Sequence, residues 1–258
     1  EDGIRDVERS HGLGDVYRRQ SENRSKADSL KKIEEFVGTT LDKLEELSKK
    51  QGELIGSSSG FKAIDGVTQG LQDEDLIVIA GRPSMGKTSL AMNIAENISK
   101  NDDGCVAVFS LEMSSQSLTS RMLASMAGIS QSNVKTGNLT DRQWEKLIQQ
   151  AKKLEEMNIF IDDTPNISPM EIRAKSRRLA KQYRKQGGVK LVVVDYIQLM
   201  QLPGRTENRV NELSEISRAL KYLAKEINAP VIVLSQLNRA VEQRLSLIHI
   251  SEPTRPLY

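Results

Sequence analysis

The residues best suited to chemistry stand at Gly81-Arg82-Pro83-Ser84-Met85-Gly86-Lys87-Thr88, followed by Ser89. This run fits G-x-x-x-x-G-K-[ST] at every fixed position, with an apolar stretch before it and a helical stretch after it. In that setting the glycines let successive backbone N–H groups converge on phosphate oxygens at a helix N-terminus. Lys87 would bring a point charge to the β and γ phosphates, and Thr88 a hydroxyl to Mg²⁺. The competing reading is a Gly-containing turn followed by a surface lysine; the strand and helix on either side weigh against it. A second element is Lys190-Leu-Val-Val-Val-Asp195, an apolar strand that delivers an acid at its C-terminal end. Asp195 is thereby placed to reach the Mg²⁺ shell. The next residue is Tyr196, not an acid, so a base for water activation must come from elsewhere. Glu112, at the end of Val106-Ala-Val-Phe-Ser-Leu-Glu-Met113, is the best candidate, because ligands of open α/β sheets sit beyond the strand ends. The competing reading is that it merely caps the helix that follows. Gln236, ending Val231-Ile-Val-Leu-Ser-Gln, occupies a similar position and reads either as a γ-phosphate sensor or as a polar strand terminus.

These groups need a scaffold that brings strand ends together. Short apolar runs at 76–80, 106–111, 159–161, 191–194 and 231–234 read as strands, several of them continuous rather than alternating, as buried parallel strands should be. Helical periodicity separates them at 87–100, 116–127, 140–157, 168–186 and 210–228. Two helix starts are legible: Thr140 with Gln143, and Ser168 with Pro169 and Glu171. The expected fold is therefore α/β, a mostly parallel sheet between layers of helices. Upstream, 29–50 (SLKKIEEFVGTTLDKLEELSKK) carries Leu30, Ile33, Phe36, Val37, Leu41, Leu44 and Leu47 at three- and four-residue spacing, an amphipathic helix with a narrow apolar stripe. Gly56-Ser57-Ser58-Ser59-Gly60 reads as a flexible polar connector between that helix and the core.

Composition narrows the function. The 258 residues carry 37 Lys+Arg against 35 Asp+Glu, a formal charge of +2, so no basic nucleic-acid surface is advertised. Aromatics at 4% argue against recognition by stacked bases. A single cysteine excludes an internal disulfide and any cysteine-cluster zinc site, which suits a reducing, cytoplasmic setting. No apolar run approaches the ~20 residues needed to span a bilayer. Both histidines, His11 and His249, lie near the ends, so the core chemistry must run on carboxylates, Lys, Arg, Gln and backbone amides. Other features invite over-reading. The basic residues Arg173, Lys175, Arg177, Arg178, Lys181, Arg184 and Lys185 suit a solvated helix face better than a nucleic-acid stripe. Asp162 and Asp163 fit a turn into Thr164-Pro165-Asn166 as well as a metal site. Cys105 reads as a small core residue and Trp144 as a packing residue. The polar loop 203–209 after Asp195 could touch a ligand such as DNA.

Several segments resemble known sequences. Both ends, through GLGDVYRRQ and LSLIHISEPTRP, resemble translated sequencing-adapter read-through. The expectation is that residues 1–22 and 245–258 are not native, with genuine disordered tails as the alternative. The working regions are then a linker helix region at 23–55 and an ATPase core at 56–244. Within them GRPSMGKTSLAMNIAEN, FSLEM, VVVDYIQLM and VIVLSQLNRAVEQR resemble, in order, the C-terminal motor domain of bacterial replicative helicases of the DnaB family. The resemblance covers about residues 29–244. It implies a RecA-like P-loop ATPase core using ATP and Mg²⁺ and a homo-hexameric ring around single-stranded DNA. Movement would be 5′→3′ with duplex unwound ahead, and primase and helicase-loader partners are implied too. By position it makes Gly81 to Ser89 the phosphate loop, Lys87, Glu112 and Gln236 catalytic, and Thr88 and Asp195 metal-binding. It also implies that the helix at 29–50 packs on an adjacent subunit and that 203–209 lines the channel. The match stops at Arg244, before the family's arginine finger, a group worth about 10³–10⁵ in rate. The sequence as written is therefore expected to bind ATP poorly or moderately and to lack processive unwinding. A RecA-type strand-exchange or repair ATPase and a regulatory ATP-binding switch remain the alternatives.

Overall fold

The computed structural model describes residues 32–49, 54–202 and 208–237. The readings made for 1–22, for 245–258 and for 203–207 fall outside the described residues. Two units are present: one holds helix α1 (Glu34–Lys49), and the other everything described from Leu54 onward. In α1 the apolar side chains Phe36, Val37, Leu41 and Leu44 are exposed, as is Ile33 just before it.

The second unit is an α/β sandwich. Its strands are β1 (Leu76–Gly81), β2 (Cys105–Ser110), β3 (Ile159–Asp162), β4 (Val189–Asp195) and β5 (Val231–Gln236). All pair in parallel, in the order β1-β5-β4-β2-β3. The helices are α2 (Lys62–Thr68), α3 (Lys87–Asn101), α4 (Ser115–Ala127), α5 (Gln131–Thr136), α6 (Asp141–Glu155), α7 (Pro169–Gln182) and α8 (Arg209–Ile227). Side chains alternate across a strand, and here the alternation splits the core in two. Cys105, Ala107, Phe109, Val192, Val194, Val231 and Val233 face one way, onto Ile172 of α7 and Ile216, Leu220 and Leu223 of α8. Val106, Val108, Leu191, Val193, Ile232 and Leu234 face the other, onto Ala91, Ile94 and Ile98 of α3 and Leu118 and Met122 of α4. Both faces of the central strands are covered, which is why these runs read as continuous apolar sequence.

The helix starts follow their sequences. Thr140 and Ser168 each accept from the backbone at the third helical position, and Gln143 and Glu171 reach back to the cap, forming two capping boxes. Helix α7 stops at Gln182 and gives way to a single 3₁₀ turn, Arg184–Gln186, so it is shorter than its basic run suggests. Helices α2 and α5 have no counterpart in the sequence reading.

The serine run at 57–59 is also not a flexible connector. Ser57 bridges to Leu71, Ser59 is fully buried, and Asn97 of α3 donates to the Ser59 carbonyl at 3.0 Å. Asp65 of α2 holds the segment, accepting from the Ser59 N–H at 2.9 Å and the Ser58 hydroxyl at 2.7 Å. A polar run that reads as linker is pinned because α2 folds back and supplies a buried carboxylate.

Candidate functional site

β1, β2, β4 and β5 deliver their C-terminal ends to one edge of the sheet, and the chemistry-bearing residues gather there. The turn from β1 into α3 needs left-handed backbone at Ser84 (φ 63°) and Gly86 (φ 82°), the latter being the N-cap of α3. Gly86 has open space where a Cβ would stand, so its requirement is conformational. At Gly81 the requirement is contact: a Cβ there would lie 3.3 Å from the Lys87 stem. The Lys87 ammonium folds back and donates to the Arg82 carbonyl at 2.8 Å.

The Thr88 hydroxyl donates to Asp195 Oδ2 at 2.7 Å, joining the first turn of α3 to the end of β4 across 107 positions of sequence. Asp195 is buried. Burial pushes its carboxyl above the ordinary range; the Thr88 hydrogen bond, Lys87 and Arg121 oppose this, and the Glu112 charge adds to it. Tyr196, joined to Asp195 by a cis peptide, has its phenol pushed up by burial and by the charges of Glu112 and Asp195. Lys87, Thr88, Glu112, Asp195 and Gln236 line one cavity of about 220 Å³ together with Pro83, Ser84, Gly86, Met113, Arg121 and Tyr196.

Glu112 is not the cap of the next helix; Ser114 is, its hydroxyl accepting from the Ser117 N–H. Gln236 is exposed at the cavity mouth, in register with Gly81. Of the residues from Gly81 to Ser89 that the sequence suggests for phosphate, Gly81, Arg82, Met85 and Ser89 stand outside the cavity lining. Met85 is exposed, and Ser89 faces a neighbouring cleft shared with Asn93, Arg121 and Ser125.

Sequence reasoning misses Arg121. It borders both cavities, and its Nε is buried without a hydrogen-bond partner among the described residues. The signal is present: Arg121 is the one charged residue in SQSLTSRMLASMA. A buried guanidinium N–H without a partner costs free energy unless an acceptor joins it. The carboxylates tell the complementary story. Asp195 is buried with a single hydroxyl donor and a like charge nearby, a donor set with room for a divalent cation.

Features that could have been other sites have structural partners. Asp162 accepts from the Thr164 N–H and hydroxyl and pairs with Lys175, and Asp163 accepts from the Ser115 N–H at 2.8 Å. No metal-ligand cluster of three exists among the described residues. Arg173 and Arg177 pair with Glu226, as a solvated basic face does. Cys105 is a buried strand residue. Trp144 differs from expectation: it is exposed, lining an apolar groove with Thr119 and Leu123 of α4 and Ile148 of α6. No helix among the described residues is long and apolar enough to cross a membrane.

A family model described as the DnaB-like helicase C-terminal domain matches residues 56–248, three quarters of the chain. The chain belongs to that family. Over 222 residues it is 46% identical to the replicative DNA helicase DnaB of Geobacillus stearothermophilus, covering 86% of this chain and 48% of that one. The replicative DNA helicase DnaC of Bacillus subtilis is 45% identical over 222 residues, with the same coverage of 86% and 48%. The chain thus spans about half the length of the curated relatives it matches. Among solved structures, a DnaB-like replicative helicase, solved in a study of its interactions with primase, aligns with a TM-score of 0.73 at 35% identity, over 84% of this chain and 51% of that one. A second solved structure, described as an ATPase domain, aligns with a TM-score of 0.75 at 34% identity, over 84% of this chain and 75% of that one. The five-stranded parallel sheet described above belongs to the RecA-like fold of these neighbours.

Proposed function

We propose that this chain is the ATP-hydrolysing motor of a replicative DNA helicase that works as a hexameric ring, moving 5′→3′ on single-stranded DNA in the cytoplasm. The observation that carries the chemistry is the convergence of Lys87, Thr88, Glu112 and Asp195 on one cavity at the C-terminal edge of the sheet. Membership of the DnaB-like family and the names of its relatives carry the DNA substrate, and a relative's structural study with primase supports primase as a partner. A helicase loader is expected on the same grounds. The exposed apolar stripe of α1 suits packing against a second copy of the chain.

Thr88 and Asp195 would hold Mg²⁺, which would neutralise charge on the nucleotide phosphates. Lys87 exchanges its contact with the Arg82 carbonyl for phosphate oxygens. Arg121, already unpaired at Nε among the described residues, offers a second positive group to the developing charge. Glu112 accepts a proton from the attacking water, and Gln236 meets the γ-phosphate end of the site.

The test is Glu112→Gln. Binding of mant-ADP is expected to stay near wild type, while phosphate release falls by about 10²–10⁴-fold, the span general-base catalysis contributes. Unchanged turnover removes Glu112 from the base role. Turnover indifferent to single-stranded DNA in the hexamer would favour a regulatory ATP-binding switch, and open filaments in electron micrographs a strand-exchange ATPase.

A further inference from the structure

The end of β5 is held from two sides, and only one of them is sheet. Toward β1, the Leu237 N–H donates to the carbonyl of Gly81, the first residue of the phosphate loop, at 3.1 Å. Toward β4 the main-chain pairing stops at Val194 with Val233. Beyond that point the Gln198 side chain takes the place of the missing strand. Its Nε2 donates to the Gln236 carbonyl at 3.0 Å and to the Ser235 hydroxyl at 2.9 Å, while its Oε1 accepts from the Gln236 N–H at 3.2 Å. The carboxamide thus engages both main-chain groups of Gln236, the residue at the nucleotide cavity.

Gln198 sits in the 3₁₀ turn Ile197–Leu199, close behind Asp195. Its own carbonyl is held in turn. Arg209 Nη2 donates to it at 2.6 Å and to the Met200 carbonyl at 3.1 Å. Arg209 Nη1 pairs with Glu212, whose Oε1 accepts from the Leu202 N–H at 3.0 Å. Leu202 and Arg209 stand on either side of residues 203–207. One guanidinium–carboxylate pair therefore ties both flanks of that segment to the turn whose side chain grips β5.

We propose that Gln198 is a positioning residue that converts the state of the nucleotide site into the placement of Leu202 and Arg209. The inference rests on the ATPase reading above. A shift of the phosphate loop or of Gln236 when the γ-phosphate leaves moves the β5 end, and the carboxamide has no way to keep all three contacts unless its turn follows. The turn carries Arg209 and Glu212 with it. A residue can couple two sites only if its contacts differ between states, and among the described residues Gln198 touches the Gln236 main chain and the Arg209 anchor together.

The Leu202 amide is a direct reporter, because its partner is the Glu212 carboxylate. The experiment is hydrogen–deuterium exchange on the chain with ADP and with AMP-PNP, with mant-ADP fluorescence measuring nucleotide binding. Couplings between sites run to about 5–150-fold, so Leu202 exchange is expected to differ at least about fivefold between the two nucleotides in wild type. In Gln198→Leu the difference is lost while mant-ADP affinity is kept. Arg209→Lys, which cannot reach Gln198, Met200 and Glu212 at once, is expected to lose it as well and serves if Gln198→Leu does not fold. A merely structural role for Gln198 would lower Leu202 protection equally with both nucleotides and leave their ratio intact. That outcome, or equal exchange with both nucleotides in wild type, overturns the proposal. Failure of wild type to bind mant-ADP would instead remove the ATPase reading beneath it.

Discussion

Asp195→Asn should stabilise the empty chain and abolish its response to magnesium. The wild-type carboxylate is buried at the end of β4, with the Thr88 hydroxyl at 2.7 Å and Glu112 close enough to add like charge. Asparagine keeps an acceptor for Thr88 and drops the charge. Because the folded carboxyl titrates above its ordinary value of 3.8, its ionisation opposes folding. Its stabilising contribution is complete only below pH 3.8 and is lost as pH rises through the folded pKa. The variant's advantage in Tm is therefore smallest in acid and full at neutral pH.

The ligand side of the comparison has a calculable size. A ligand at 100 times its Kd adds about 2.7 kcal/mol of stability, and in a unit of this length each kcal/mol moves Tm by about 2–4 °C. Wild type in saturating Mg·ATP should thus melt about 5–10 °C above the empty chain, and ATP with EDTA should recover much less. Differential scanning fluorimetry at pH 7.5 reads both arms. For Asp195→Asn the expectation is a higher Tm without ligand and identical shifts with Mg·ATP and with ATP plus EDTA. A lower Tm without ligand would mean that the carboxylate is held by favourable partners rather than strained by burial. A magnesium-dependent increment equal to wild type would take Asp195 out of the metal shell.

Asp65→Ala should strand the buried Ser59 N–H and free the Ser58 hydroxyl, costing about 1–3 kcal/mol by denaturant titration. Burial raises the Asp65 pKa, but hydrogen bonds from Ser58, Ser59 and Gly60 outweigh it and leave the net shift downward. Its contribution is therefore present above pH 3.8, and the gap between wild type and variant should close as pH falls through the folded value. Ser168→Ala removes the hydroxyl half of the α7 capping box and should cost about 1 kcal/mol in the same titration, with nucleotide binding unchanged. The Cys105 thiol, pushed up to about 11 by burial, should not react with DTNB at pH 8 in the native chain and should react fully once unfolded.

What the sequence disclosed and what it withheld follow one physical division. Covalent neighbours reveal whatever acts locally. The turn from β1 into α3 is legible because its left-handed N-cap position, Gly86, and the close approach at Gly81 both call for glycine at a set spacing. The two capping boxes are legible because cap and third residue satisfy each other within one turn. The five strands are legible because covering both faces forces runs such as Leu-Val-Val-Val. Helices α2 and α5 escape because 7 and 6 residues are too few to show a 3.6-residue period. The serines at 57–59 look like linker until Asp65 folds back on them. Arg121 stands out as a lone charge in its helix, but the cavity it lines with Glu112 and Asp195 exists only once β2 and β4 come together.

Gln198 marks the limit. Its partner main chain lies 38 positions away, and the gap it fills exists only because the β4–β5 ladder ends at Val194 while β5 runs on to Gln236. Nothing in Asp-Tyr-Ile-Gln-Leu-Met states where a neighbouring strand stops pairing. A side chain whose role is to stand in for missing backbone is therefore silent in sequence and explicit in register. In a sheet whose strand ends carry the chemistry, the residues just past the last ladder pair are where such substitutions bear on function.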